Sequence, residues 1–210
     1  MEAAAPDLRI CVAGDSFVQG VGDLSGGGWV GRLAAESRRR GRQVTAYNLG
    51  VRYETSADVA ERWYGEAVPR MRHADGTGMV FAFGVNDVRI ENGRRRVAHA
   101  DSVANLDAIL DTATGARWTC LVVGAPPVPG ERDHGEAALA LEDAYAKTCA
   151  ARGIPFVPIQ RALREDPQWW AGIEAYGDGA HCDAVGYAKL AALIADGGWW
   201  DWLDSLAPGH

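Results

Sequence analysis

Leu8-Arg9-Ile10-Cys11-Val12-Ala13-Gly14 decides the fold. It is a short, almost unbroken apolar run closed by glycine, the pattern of a strand buried on both faces of a parallel sheet. A glycine-rich loop follows, and then helical periodicity from Trp29 through Leu33 to Arg40. Val44–Leu49 reads as a second strand. Thr55-Ser56-Ala57-Asp58 supplies caps and first-turn acidity for a helix running to about Val68, with Pro69 just beyond it. Met79-Val80-Phe81-Ala82-Phe83 is a third strand, again closed by glycine, Gly84. The alternation continues with a helix over Ala98–Thr114, a strand over Thr119–Val123, a helix over Gly135–Ala151, a short strand over Ile154–Val157 and a last helix from near Ala184 towards Leu203. Parallel strands need crossovers, usually helical, so this order predicts an α/β fold whose five-stranded parallel sheet has helices on both faces. No repeat or low-complexity linker divides the chain, and one domain over residues 1–210 is expected.

Bulk properties narrow the function. With 48% hydrophobic and 23% charged residues, a chain of 210 residues can bury a core without disulfide or metal staples. The formal net charge of -7 argues against a nucleic-acid partner, since phosphate binding needs a basic face. Arg38-Arg39-Arg40 and Arg94-Arg95-Arg96 are too short to reverse that and read as solvated surface. Cys11, Cys120, Cys149 and Cys182 lack C-x-x-C spacing, so neither a zinc site nor a secreted disulfide frame is expected. Met1-Glu2-Ala3-Ala4-Ala5-Pro6 carries no basic segment followed by an apolar one, and no apolar run reaches membrane-spanning length. A cytoplasmic protein without membrane insertion is the expectation.

In open α/β sheets ligands bind beyond the carboxyl ends of the strands. The chemistry-bearing residues fall there: Asp15-Ser16 after the first strand, Asn48-Leu49-Gly50 closing the second, and Gly84-Val85-Asn86-Asp87 after the third. Asp178 and His181 lie between the last strand and the last helix. A serine hydroxyl becomes a competent nucleophile when a base takes its proton, and His181 can be that base. Asp178, three residues earlier, can orient the ring and balance its charge from the same loop. The oxyanion formed on attack needs fixed donors, for which the backbone N–H groups of Ser16 and Gly50 and the Asn86 side-chain amide are candidates. Asp15 and Asp87 read as orienting groups. His73, His99, His134 and His210 sit in polar surroundings and are not expected in the chemistry.

These residues resemble the GDSL, or SGNH, hydrolases. Gly14-Asp15-Ser16-Phe17-Val18-Gln19-Gly20 is similar to that family's Gly-Asp-Ser signature, and Gly50 to its oxyanion glycine. Gly84-Val85-Asn86-Asp87 is similar to its Gly-x-Asn-Asp block and Asp178-Gly179-Ala180-His181 to its Asp-x-x-His block, all in the family's order. The resemblance implies a flavodoxin-like three-layer α/β/α sandwich that hydrolyses small-molecule acyl esters without cofactor or metal, with Ser16, Asp178 and His181 as catalytic triad. Two positions depart from the pattern. Tyr53 stands where a glycine is common and is expected to narrow the acyl pocket, and Cys182 replaces a proline after the histidine and is expected to loosen its loop.

Other readings stay in play at this level. Trp199, Trp200 and Trp202 read as packing residues, whereas Trp169 and Trp170 precede the Asp178 loop closely enough to line a pocket. A nucleotide- or flavin-binding module would want G-x-G-x-x-G after the first strand, which is absent. An α/β-hydrolase would want a G-x-S-x-G elbow, also absent. A hydrolase-like fold used only for binding is the remaining rival. Short-chain esters are the favoured substrates, because no long apolar insertion offers a lid.

Overall fold

The computed structural model describes residues 5–130 and 132–207. Strand β1 (Leu8–Gly14) leads into a single helical turn, α1 (Ser16–Gln19), and then α2 (Gly28–Arg39) and β2 (Val44–Gly50). Helix α3 (Ser56–Met71) and strand β3 (Gly76–Ala82) follow, then a small hairpin of β4 (Ile90–Glu91) and β5 (Arg94–Arg95). The second half runs α4 (His99–Gly115), β6 (Thr119–Val123), α5 (Arg132–Ala151), β7 (Phe156–Val157), α6 (Gln160–Arg164), α7 (Pro167–Tyr176) and α8 (Ala184–Ile194). A π-helical turn over Ala195–Trp199 joins α8 to α9 (Trp200–Asp204). Among the described residues no helix is long and apolar enough to cross a membrane.

The main sheet is parallel throughout, in the order β2-β1-β3-β6-β7. That is the flavodoxin-like order, and its topological switch lies between β1 and β3. The apolar runs alternate between two cores. Ile10, Val12, Val80, Leu121 and Val123 face the layer of α2 and α8, while Cys11, Ala13, Met79, Phe81 and Val122 face α3, α4 and α5. Because successive strand side chains point to opposite faces, a strand with helices on both sides is apolar at most consecutive positions. Trp199 and Trp202 are buried in the first core, as packing residues. The four cysteines are free and buried.

Three local expectations are corrected. Helix α3 does not stop before Pro69 but carries it in the last turn. A proline there forgoes one ladder bond close to a helix end, where few remain to be lost. The last helix does not run evenly to Leu203, because Gly198 has φ 123°, outside helical space, and the chain kinks through the π turn. The β4–β5 hairpin is an addition to the five strands. Asn92 and Gly93 have φ 52° and 75°, the two positive values that a two-residue hairpin turn requires.

Candidate active site

The turn after β1 is held by its own residues. The Asp15 side chain caps α1 by accepting the Phe17 N–H at 2.9 Å, and the Gln19 N–H returns to the Asp15 carbonyl at 3.1 Å. Ser16 is the first residue of α1, where the helical ladder supplies no acceptor for its N–H, and its side chain is buried. Burial, with Asp87 and Glu54 nearby, pushes the Asp15 carboxyl up to about 7 despite the Phe17 N–H bond.

The segment between α7 and α8 presents the other two groups. One Asp178 oxygen accepts the N–H groups of Ala180 and His181 at 2.9 and 2.8 Å, which folds the loop into a tight turn. The other oxygen meets His181 Nδ1 at 2.6 Å, and His181 Nε2 meets Ser16 Oγ at 2.7 Å. A carboxylate only accepts, so Nδ1 carries the proton of the neutral ring and Nε2 is the acceptor that faces the serine. Partial burial works to raise the Asp178 carboxyl, but the bonds from the His181 N–H, the His181 ring and the Ala180 N–H hold it below its ordinary range. Phe17 lies against the imidazole with ring centroids 4.9 Å apart. The Cys182 side chain is fully buried over Gly186, and Asp183 caps α8 through the N–H groups of Val185 and Gly186, both at 3.0 Å.

A cavity of 580 Å³ opens beside these groups, with Ser16, Asn86, His181 and Tyr53 in its wall. Asn86 is buried, and its Nδ2 donates one of two amide hydrogens to the Glu54 carbonyl at 2.9 Å. Asp87 is an orienting group, as expected: its Oδ1 accepts the Ser56 N–H at 2.8 Å and so fixes the start of α3.

Gly50 differs from expectation. Its N–H donates to Asn48 Oδ1 at 2.9 Å, and it is not part of the cavity wall. What its position requires is the missing side chain, since a Cβ would lie 2.2 Å from the Gln19 nitrogen. Gly50 thus lets the end of β2 press against the serine turn, while its N–H, expected as an oxyanion donor, is engaged by Asn48 rather than lining the cavity. Three residues on, Tyr53 has φ 67°, the left-handed conformation that glycine adopts at little cost. The departure from glycine noticed in sequence therefore falls on the residue whose backbone most favours one.

Several residues that frame the site were not singled out in sequence. Arg62 donates to the carbonyls of Gly14 and Leu49 at 3.2 and 2.8 Å and pairs with Glu54, tying two strand ends to the loop that Asn86 also grips. Its cue was faint, a single charge within an amphipathic helix. His134, expected in polar surroundings and outside the chemistry, lies in the cavity wall with Nε2 buried and without a hydrogen-bond partner among the described residues. Trp169 is fully buried, donating to the Pro127 carbonyl at 2.9 Å, whereas Trp170 lines an adjoining hollow of 330 Å³. His210 lies outside the described residues, as do residues 1–4 of the amino-terminal stretch. Among the described residues no group of three or more histidine, cysteine, aspartate or glutamate side chains is placed to hold a metal ion.

Comparison with known proteins places this arrangement. The chain is similar over 96% of its length to 98% of a lipase/acylhydrolase from Enterococcus faecalis, with a TM-score of 0.71 and 21% identity. It is similar over the same shares to a catalytic mutant of Axe2, an acetylxylan esterase from Geobacillus stearothermophilus, with a TM-score of 0.76 and 14% identity. A further structure, the acetyl xylan esterase AlAXEase, has a TM-score of 0.70 at 15% identity, over 90% of this chain and 98% of that one. No curated protein matches the chain in sequence. At these identities the likeness establishes the fold, and the family rests on the sequence itself. Residues 12–189 match the GDSL-like lipase/acylhydrolase family, so the chain belongs to that family and is a carboxylic ester hydrolase.

Proposed function

We propose that the protein hydrolyses short-chain acyl esters through an acyl-enzyme on Ser16, with His181 as general base and acid and Asp178 as the group that orients it. The observation that carries this reading is the unbroken line from Asp178 through His181 to Ser16, at 2.6 and 2.7 Å, ending on the wall of an open cavity. As Ser16 Oγ attacks the ester carbon, His181 Nε2 takes its proton, and the Asp178 carboxylate balances the imidazolium. Collapse of the tetrahedral species breaks the C–O bond, and the departing alcohol receives the proton from Nε2. Water then attacks the acyl-serine, again with His181 as base, and the acid leaves.

For the oxyanion, the Ser16 N–H and the second Asn86 amide hydrogen are the supported donors. The Tyr53 N–H takes the place first given to Gly50: Tyr53 is in the cavity wall, and its N–H makes no hydrogen bond among the described residues. Short acyl groups fit a cavity whose wall mixes Phe17, Val85 and Val128 with Arg52, Asn86 and Arg89 rather than forming an apolar tunnel. The two acetylxylan esterases among the structural relatives are in keeping with an acetyl-sized acyl group.

A series of p-nitrophenyl esters of increasing chain length tests the reading, with Ser16→Ala beside the wild type. Turnover should peak at the short end. Ser16→Ala should lower it by on the order of 10³-fold or more while leaving the circular dichroism unchanged. Near-wild-type rates in the variant would remove Ser16 as nucleophile.

A further inference from the structure

The cavity mouth carries charge that ester hydrolysis does not use. Arg52, in the loop after β2, and Arg89, leading into the hairpin, are both exposed and both line the cavity. Their guanidinium carbons lie 5.9 and 6.0 Å from the centroid of the Tyr53 ring. Neither arginine forms an ion pair among the described residues, although pairing is common elsewhere in the chain, as in Arg62 with Glu54 or Arg161 with Asp143. Arg96 ties the two segments together by donating to the Tyr53 carbonyl at 2.8 Å, and Arg95 braces the hairpin side by donating to the Val88 carbonyl at 3.0 Å. Among the described residues Asp178 is the one carboxylate in the wall, and it is committed to His181. Burial and the positive charges of Arg89 and Arg95 hold the His134 ring below its ordinary pKa, so it adds a neutral polar group to the same wall.

A chain with a formal net charge of -7 thus keeps two guanidinium groups at the entrance to its candidate active site that no described residue pairs. An arginine fork matches the planar, bidentate geometry of an oxyacid anion, and charge of one sign lining a cleft concentrates substrates of the other. We propose that the esters selected by this site carry an anionic oxyacid group, such as a carboxylate, that Arg52 and Arg89 hold beside Tyr53 while the scissile carbonyl lies at Ser16. The inference rests on the esterase reading above and specifies its substrate class. The anion can belong to either the acyl part or the alcohol part of the ester.

Two matched pairs separate these cases: monoethyl succinate against diethyl succinate, and 4-acetoxybenzoate against its methyl ester. In at least one pair kcat/KM should favour the anionic member by about tenfold, mainly through KM, and salt at about 0.5 M should erase most of the preference. Arg52→Gln and Arg89→Gln should each reduce the anionic-to-neutral ratio several-fold, and the double variant should bring it to about one. A wild-type ratio of one or less in both pairs would overturn the inference, and so would a ratio that survives the double variant. Turnover of none of the four esters would instead count against the esterase reading itself.

Discussion

Two loops meet at Ser16, and they are built in opposite ways. The loop from Asp178 to Asp183 is self-contained: Asp178 folds it through two backbone N–H groups, presents His181 with its other oxygen, and Asp183 starts the next helix. The loop from Gly50 to Thr55 is held from outside. Arg62 takes the Leu49 carbonyl, Asn86 the Glu54 carbonyl and Arg96 the Tyr53 carbonyl, from 13, 32 and 43 residues away. A loop made by its nearest neighbours keeps its geometry wherever the fold places it, so its role can be read from spacing. A loop made by distant partners acquires its geometry only on folding.

The comparison is most severely tested by Asp178→Asn. It removes a carboxylate that both builds the first loop and orients the ring, and kcat should fall by a factor on the order of 10⁴, as in the best-studied triad. Steady-state rates with one soluble ester suffice. A loss of less than about tenfold would show that the loop, not the charge, is what matters. Asn86→Ala probes the second loop from its partner's side. It should cost roughly 10²–10³-fold in kcat with a smaller change in KM, because the donor counts most once charge has developed on the carbonyl. An effect confined to KM would point to loss of the Glu54 contact and a displaced loop instead.

Gly50→Ala sharpens the contrast between a packing glycine and a donor. The added methyl would meet the Gln19 and Asp15 backbone, with the nearest atom at 2.2 Å, so a destabilisation of about 1–3 kcal/mol is expected by urea unfolding. Stability within error of wild type would show that the close approach at Gly50 is not needed for the fold. A last test concerns Asp15, on the turn that both loops approach. Its folded pKa is raised from 3.8 to about 7, first by burial, so between those values the native state binds more protons than the unfolded one. Its contribution to stability is therefore present below the lower value and is lost as pH rises through the window. Asp15→Asn, which has no proton to exchange, should flatten that decline in thermal melts taken from about pH 4 to pH 8. An unchanged pH profile would mean that Asp15 ionises normally.

The same contrast governs how much of the molecule could be read before folding. Leu8–Gly14 and residues 79–82 carry a local signature, since burial on both faces favours apolar residues at successive steps, whereas the start of β3 at Gly76 lacks it. The Asn92-Gly93 turn is equally local, but strands of two residues each are too short for an alternation that marks the hairpin in sequence. Pro69 ran the other way: its local preference for ending a helix was overridden by the packing of α3, which continues to Met71.

The sequence by itself determined the alternation of strands and helices, the strand-end positions of Ser16 and Asn86, and the Asp178–His181 pairing. Each depends on periodicity or on contacts within a few residues. Only the tertiary structure decided that the Gly50 N–H is spent on Asn48, that Tyr53 takes the left-handed conformation on the cavity wall, and that Arg52, Arg89 and His134 share that wall. These facts depend on which distant segments fill the space around a loop. Backbone donors and long side chains carry no periodic mark of where they will point, because their partners are chosen by packing rather than by sequence neighbours.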